Sequence, residues 1–251
     1  MLGRIVKFVY VSSNRRSRAR NRHSLFASTL RAFVTAAVLS VLFIPHPARS
    51  QSASAADERV SAELAAMGKR GQVIAVARQQ TLAILQSENS CSAWFREIEP
   101  DSAEVFRSLH YEITEHERAF IFHMKDGQGG GPFKHPWAAR STQNAGQNST
   151  VGLNSGGPFF NASSPVLEVD SKTTLQWPAG LHRLVIASFL GNSPGARITT
   201  LLHELGHIVG RIPEDSDSWD GLSSRNTEEV LRHCKHDIRD AASESTYRSS
   251  R

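Results

Sequence analysis

Cysteine is scarce: Cys91 and Cys234 are the only two in 251 residues, 143 positions apart. They form no C-x-x-C pattern, which excludes a cysteine-built metal site and a dithiol redox motif. Acid is absent from the first 55 residues, which nevertheless carry nine Lys or Arg. The remainder holds 20 basic against 24 acidic residues, so the chain's formal +5 comes entirely from its N-terminal stretch. A body of net charge −4 argues against a nucleic-acid partner, which needs basic charge on the folded surface. No apolar run reaches the ~20 residues of a typical membrane-spanning helix. The most apolar, Ala32–Ile44 (AFVTAAVLSVLFI), has 13. Gly127–Gly131 is glycine-rich but lacks the lysine and the strand-to-helix setting of a phosphate loop, and reads as a plain turn. No internal repeat is visible.

The basic stretch, the short apolar run, the helix-breaking Pro45 and Pro47 and the small residues at Ala48–Ser50 and Ala53–Ala55 together have the order of an export signal. Residues 1–55 are therefore expected to be a targeting segment, residues 56–240 the folded domain and residues 241–251, rich in serine, a disordered tail. An uncleaved leader would instead anchor the protein at a membrane, and an Arg- and Ser-rich leader also suits organelle import. In an exported chain the two cysteines are expected to bond; otherwise they are two buried thiols. Asn148 and Asn161 head N-x-S/T sequons.

Helical spacing of Val60, Leu64, Met67, Val73, Val76, Leu82 and Leu85 predicts helix over 57–87, interrupted at Gly71. A short helix is expected over 101–109. Strands are expected at 118–124, 150–154, 166–169 and 173–177, the last stopped by Pro178; 181–190 fits either type. Ser193 with Pro194 marks the start of a helix running to about Ile212. Asn226-Thr-Glu-Glu229 has capping-box spacing and predicts a last helix from Asn226.

The chemistry lies in Thr200-Leu-Leu-His-Glu-Leu-Gly-His-Ile-Val-Gly210. Residues four apart share one helix face, so His203 and His207 can reach one ion. Glu204 sits about 100° round the helix, placed to reach a water rather than the ion. Imidazoles suit zinc, which lowers the pKa of water toward about 7 and polarises a carbonyl. Glu204 would take the water's proton and pass it to a leaving amine. Ile198, Leu201, Leu202, Leu205, Ile208, Val209 and Ile212 form the stripe that buries such a helix. Gly206 and Gly210 suggest close approach by neighbouring backbone.

The stretch TTLLHELGHIVG resembles the active-site helix of the zincin metallopeptidases. The chain also resembles a group of bacterial exported proteins in which HELGH precedes a Pro-x-Asp, a Ser-x-x-Asn-Thr and a late Cys. Here these are Pro213-Glu-Asp215, Ser223-Ser-Arg-Asn226-Thr227 and Cys234, with Cys91 upstream. The likeness covers about 91–234 and is sharp over 199–234. It implies an α+β, zincin-like fold with a mixed sheet above the active-site helix, a zinc cofactor, and hydrolysis of a peptide or protein substrate.

One zincin group places the third ligand six residues after the second His, behind a Gly. Gly210 matches that pattern, but position 213 is Pro and has no ligand atom. Asp215 is the leading substitute, Glu228 or Glu229 the second, and Asp220 the third. Strand 150–154 or 166–169 is a candidate for the edge that pairs with an extended substrate, and Trp219 for a pocket wall. The expected protein is thus a monomeric, secreted or periplasmic zinc peptidase. Its rivals are a catalytically inactive, zinc-stabilised binding module of the cell envelope, and a protein that binds nucleic acid or membrane through residues 1–31.

Overall fold

In the computed structural model of the chain, the described residues are 48–114, 119–123, 133–170, 176–215 and 221–249. Four helices come first: α1 (Ala48–Ala66), α2 (Gly68–Gln86), α3 (Ser90–Arg96) and α4 (Ser102–Arg107). Nine strands follow: β1 (His110–Thr114), β2 (Ala119–His123), β3 (Phe133–Lys134), β4 (Ala139–Arg140), β5 (Thr150–Asn154), β6 (Ser163–Asp170), β7 (Gln176–Arg183), β8 (Val185–Ile186) and β9 (Phe189–Leu190). Two helices close the chain, α5 (Pro194–Ile208) and α6 (Leu222–Ser249). The α+β class stands. Among the described residues the strands form two mixed sheets, ordered β1-β5-β4 and β3-β2-β6-β7, each with parallel and antiparallel pairs, and a separate β8-β9 pair.

The α1–α2 break falls at Met67 and Gly68, where Gly68 has φ +61°, and not at Gly71. Gly71 lies inside α2 because a Cβ there would stand 1.8 Å from the Leu64 carbonyl oxygen. Its missing side chain lets α2 cross the end of α1. Cys91–Phe95 is helical in α3, with an Asn89 and Ser92 capping box. Strand β7 runs through Pro178, which an outermost strand tolerates. Asn161 donates its side-chain amide to the Ser155 and Gly157 carbonyls, so its sequon is occupied by structure.

Helix α5 packs chiefly on α6 and α2. Its stripe of Ile198, Leu201, Leu202, Leu205 and Ile208 joins Phe95, Phe106, Tyr111, Leu153 and Phe159 in one core. Helix α6 begins at Leu222, one turn before the expected Asn226, and continues through the 241–249 segment expected to be disordered. Cys91 and Cys234 are bonded, tying α3 to α6. Beside that bond, the Arg211 guanidinium lies 4.6 Å over Trp94, which stacks on His233. The exit from α5 is thereby pinned to both helices. Among the described residues no helix is long and apolar enough to cross a membrane; the apolar run 32–44 lies outside them.

Replacing both cysteines by alanine is expected to lower stability by about 2–5 kcal/mol, because the bond closes a long loop. Urea denaturation measures this, and an unchanged midpoint would show that closure contributes nothing.

Candidate metal centre

Helix α5 starts as its sequence predicts. Ser193 accepts from the Ala196 N–H at 3.2 Å and Pro194 occupies the first turn. It ends a turn earlier than Ile212. Gly210, at φ +70°, makes a left-handed stop in which the Arg211 and Gly210 N–H groups donate to the Gly206 and His207 carbonyls at 2.7 and 3.0 Å. The close approaches at the two glycines come from side chains, not backbone. A Cβ on Gly206 would meet Ile212 at 2.9 Å, and one on Gly210 would meet Asn144 Oδ1 at 2.1 Å.

This stop reverses the chain and lays Asp215 against the helix. His203 Nε2 lies 2.9 Å from His207 Nε2 and 3.1 Å from Asp215 Oδ2, and His207 Nε2 lies 3.5 Å from Asp215 Oδ1. Two donors about 2.0–2.1 Å from a tetrahedral zinc are ~3.3 Å apart, so the spacing fits one ion. Two imidazole nitrogens and one carboxylate also match catalytic zinc, which keeps a fourth position open. Among the described residues this is the group of three His, Cys, Asp or Glu whose ligand atoms lie within 4.8 Å of one another.

Of the other third-ligand candidates, Glu228 and Glu229 lie elsewhere. Glu228 is exposed, and Glu229 pairs with Arg232 and with His233 at 3.3 Å on its own helix. A helix that begins at Leu222 turns these carboxylates to its own surface instead of using Glu229 as a cap. Asp220, Asp217 and Trp219 lie outside the described residues. Asn226 is not a cap either: its amide donates to the Pro213 carbonyl at 2.8 Å and to Asp215 Oδ1 at 2.7 Å. Thr227 Oγ1 stands 3.1 Å from His203 Nδ1.

Glu204 is held from a different direction. Ser141 Oγ donates to Glu204 Oε2 at 2.7 Å. Ser141 follows β4, and its loop closes on the helix end through Asn144 N–H to His207 O at 2.9 Å and Gly146 N–H to Ile208 O at 3.2 Å. Nothing in the sequence around Ser141 announced this role, because its partner lies 63 residues away. Asn226 and Thr227 were visible as a motif, but capping-box spacing hid what their side chains do.

His203, Glu204 and His207 are only 6, 4 and 4 % exposed. Burial pushes the Glu204 carboxyl upward, against the opposing pull of His203, Ser141 and His207. Burial disfavours charge on His207, but Asp215 and Glu204 outweigh it and the net shift is upward. Burial also acts upward on Asp215, yet the His203 and His207 imidazoles beside it hold it far below the usual carboxylate range. Neither strand proposed as a substrate edge is one, since β5 lies between β1 and β4, and β6 between β2 and β7. The outer strand nearest the site is β4. Comparison with protein-family models, curated proteins and solved structures finds no match.

Gly210→Ala is expected to cost about 1–3 kcal/mol, because alanine resists the left-handed conformation and meets Asn144. Thermal unfolding tests this, and a wild-type melting temperature would refute the need for that turn.

Proposed function

We propose that the chain is an exported zinc metallopeptidase of zincin-like fold, with His203, His207 and Asp215 holding the ion and Glu204 acting as general base. The observation that carries this reading is the meeting of two imidazole nitrogens and a carboxylate at one point, with a second, buried carboxylate next along the helix. When bound, zinc supplies Lewis acidity toward a substrate carbonyl and toward water. Ser141 donates to Oε2 of Glu204 and so orients the carboxylate that would accept the proton of an attacking water. Burial lifts the Glu204 carboxyl toward the range in which one group can both accept that proton and return it to a leaving amine. Strand β4 runs directly into Ser141, so a peptide added alongside β4 would pass Glu204. The Cys91–Cys234 bond suits an oxidising compartment, in keeping with export.

A second reading is a zinc-stabilised binding module without turnover. The near-complete burial of His203, Glu204 and His207 favours it, because a hydrolase must admit a carbonyl and a water. Ferrous iron accepts the same donor set; the carboxylate of Glu204 beside it is what favours hydrolysis.

Metal analysis of the purified full chain, together with a peptide-library digestion assay, separates these readings. The wild type is expected to carry one zinc and to cleave peptides. Glu204→Gln should keep the zinc and lose about 10²–10⁴-fold in turnover, while His203→Ala should lose the zinc. Zinc retained by His203→Ala would overturn the site. A zinc-loaded wild type that cleaves nothing would leave the binding module, and iron in place of zinc would replace hydrolysis by redox chemistry.

A further inference from the structure

Resting on the zinc-peptidase reading, we propose that Asn226 and Thr227 are the positioning residues of the site: they fix the rotation of Asp215 and the tautomer of His203 in which each takes a metal ion. The Asn226 side chain is 4 % exposed, and its amide nitrogen carries two hydrogens. One goes to the Pro213 carbonyl at 2.8 Å and the other to Asp215 Oδ1 at 2.7 Å. With Oδ1 held, the carboxylate cannot rotate freely, and Oδ2 stays 3.1 Å from His203 Nε2. The bond to Pro213 holds the turn from which Asp215 projects.

Thr227 has one hydroxyl hydrogen. Its oxygen lies 3.0 Å from the Ser223 carbonyl, four residues back on α6, and a carbonyl can only accept. With the hydrogen committed there, Thr227 Oγ1 offers a lone pair to His203 Nδ1 at 3.1 Å. His203 must then carry its hydrogen on Nδ1, and a neutral imidazole so protonated presents a bare Nε2. Nε2 is the nitrogen that faces His207 and Asp215. Metal-bound histidines usually give their second N–H to a carboxylate, a carbonyl or water. Here a hydroxyl takes that place, made an acceptor by its own helix. Among the described residues no side chain supports His207 in this way: its Nδ1 is buried and only the Ile212 carbonyl acts on the ring. The two histidines of one motif are therefore held unequally, His203 by a side chain of α6 and His207 without one.

Zinc affinity, measured on the full chain by competition with a chromophoric chelator, tests the assignment. Thr227→Val is expected to weaken zinc binding about 10–100-fold, while Thr227→Ser, which keeps the hydroxyl, stays within about threefold of wild type. Asn226→Asp, which sets an acceptor against Asp215, is expected to weaken it by a similar about 10–100-fold. The metal-free variants should melt within about 3 °C of wild type, whereas a merely structural role would lower melting and leave affinity per folded molecule unchanged. Thr227→Val binding zinc within about twofold of wild type would overturn the proposal. Should Thr227→Val not fold, NMR of the zinc-loaded wild type decides: a His203 Nδ1 hydrogen protected from exchange supports the assignment, and a rapidly exchanging one refutes it. If the wild type takes up no zinc, the peptidase reading itself fails. If it does and His203→Ala does not, while Thr227→Val binds normally, only the present inference falls.

Discussion

A helix can place two imidazoles on one face, but it cannot bend back to supply a third ligand. The site therefore depends on the reversal at Gly210, which returns the chain so that Asp215 meets His203 and His207. That reversal needs a backbone conformation that glycine adopts freely. It is secured on one side by the Asn144 loop and on the other by the Asn226 amide. The core stripe of α5 supplies the opposing constraint, since Leu201, Leu202 and Leu205 fix how far the helix can roll.

Four ionisable side chains share this corner, three of them almost fully buried. Charges removed from water in this way are costly unless each finds a partner. His203, His207 and Asp215 meet through ring nitrogens and carboxylate oxygens, the atoms that a cation would bind. Glu204 takes its hydrogen bond from outside that cluster, from Ser141. The separation gives two carboxylates different tasks: Asp215 is held ionised by its neighbours, and Glu204 is pushed toward accepting a proton.

Features with a local cause were legible in the sequence. The Ser193–Pro194 start, the apolar stripe and the one-turn spacing of His203 and His207 each follow from helix geometry. Strand β5 was legible from its composition and flanking turns. Features caused at a distance were not. Two-residue strands such as β4 have no periodicity to read. Asn226 was misread because a capping box and an amide that holds a nearby carboxylate use the same residue types, and only the position of Asp215 tells them apart. Gly71 was misread as a break because a sequence does not show Leu64 crossing over it. The third ligand stayed open among Asp215, Glu228, Glu229 and Asp220 because spacing alone could not say which way the chain turns after Pro213.

The bond between Cys91 and Cys234 has a topological consequence. It encloses β1 to β9, the whole of α5 and the Asp215 turn within one covalent ring. A single cut of the backbone anywhere inside that ring opens it without releasing a fragment. A protein that lives among proteases, or is one, can thus be nicked by a neighbour or by its own kind and remain one molecule for as long as its surroundings stay oxidising.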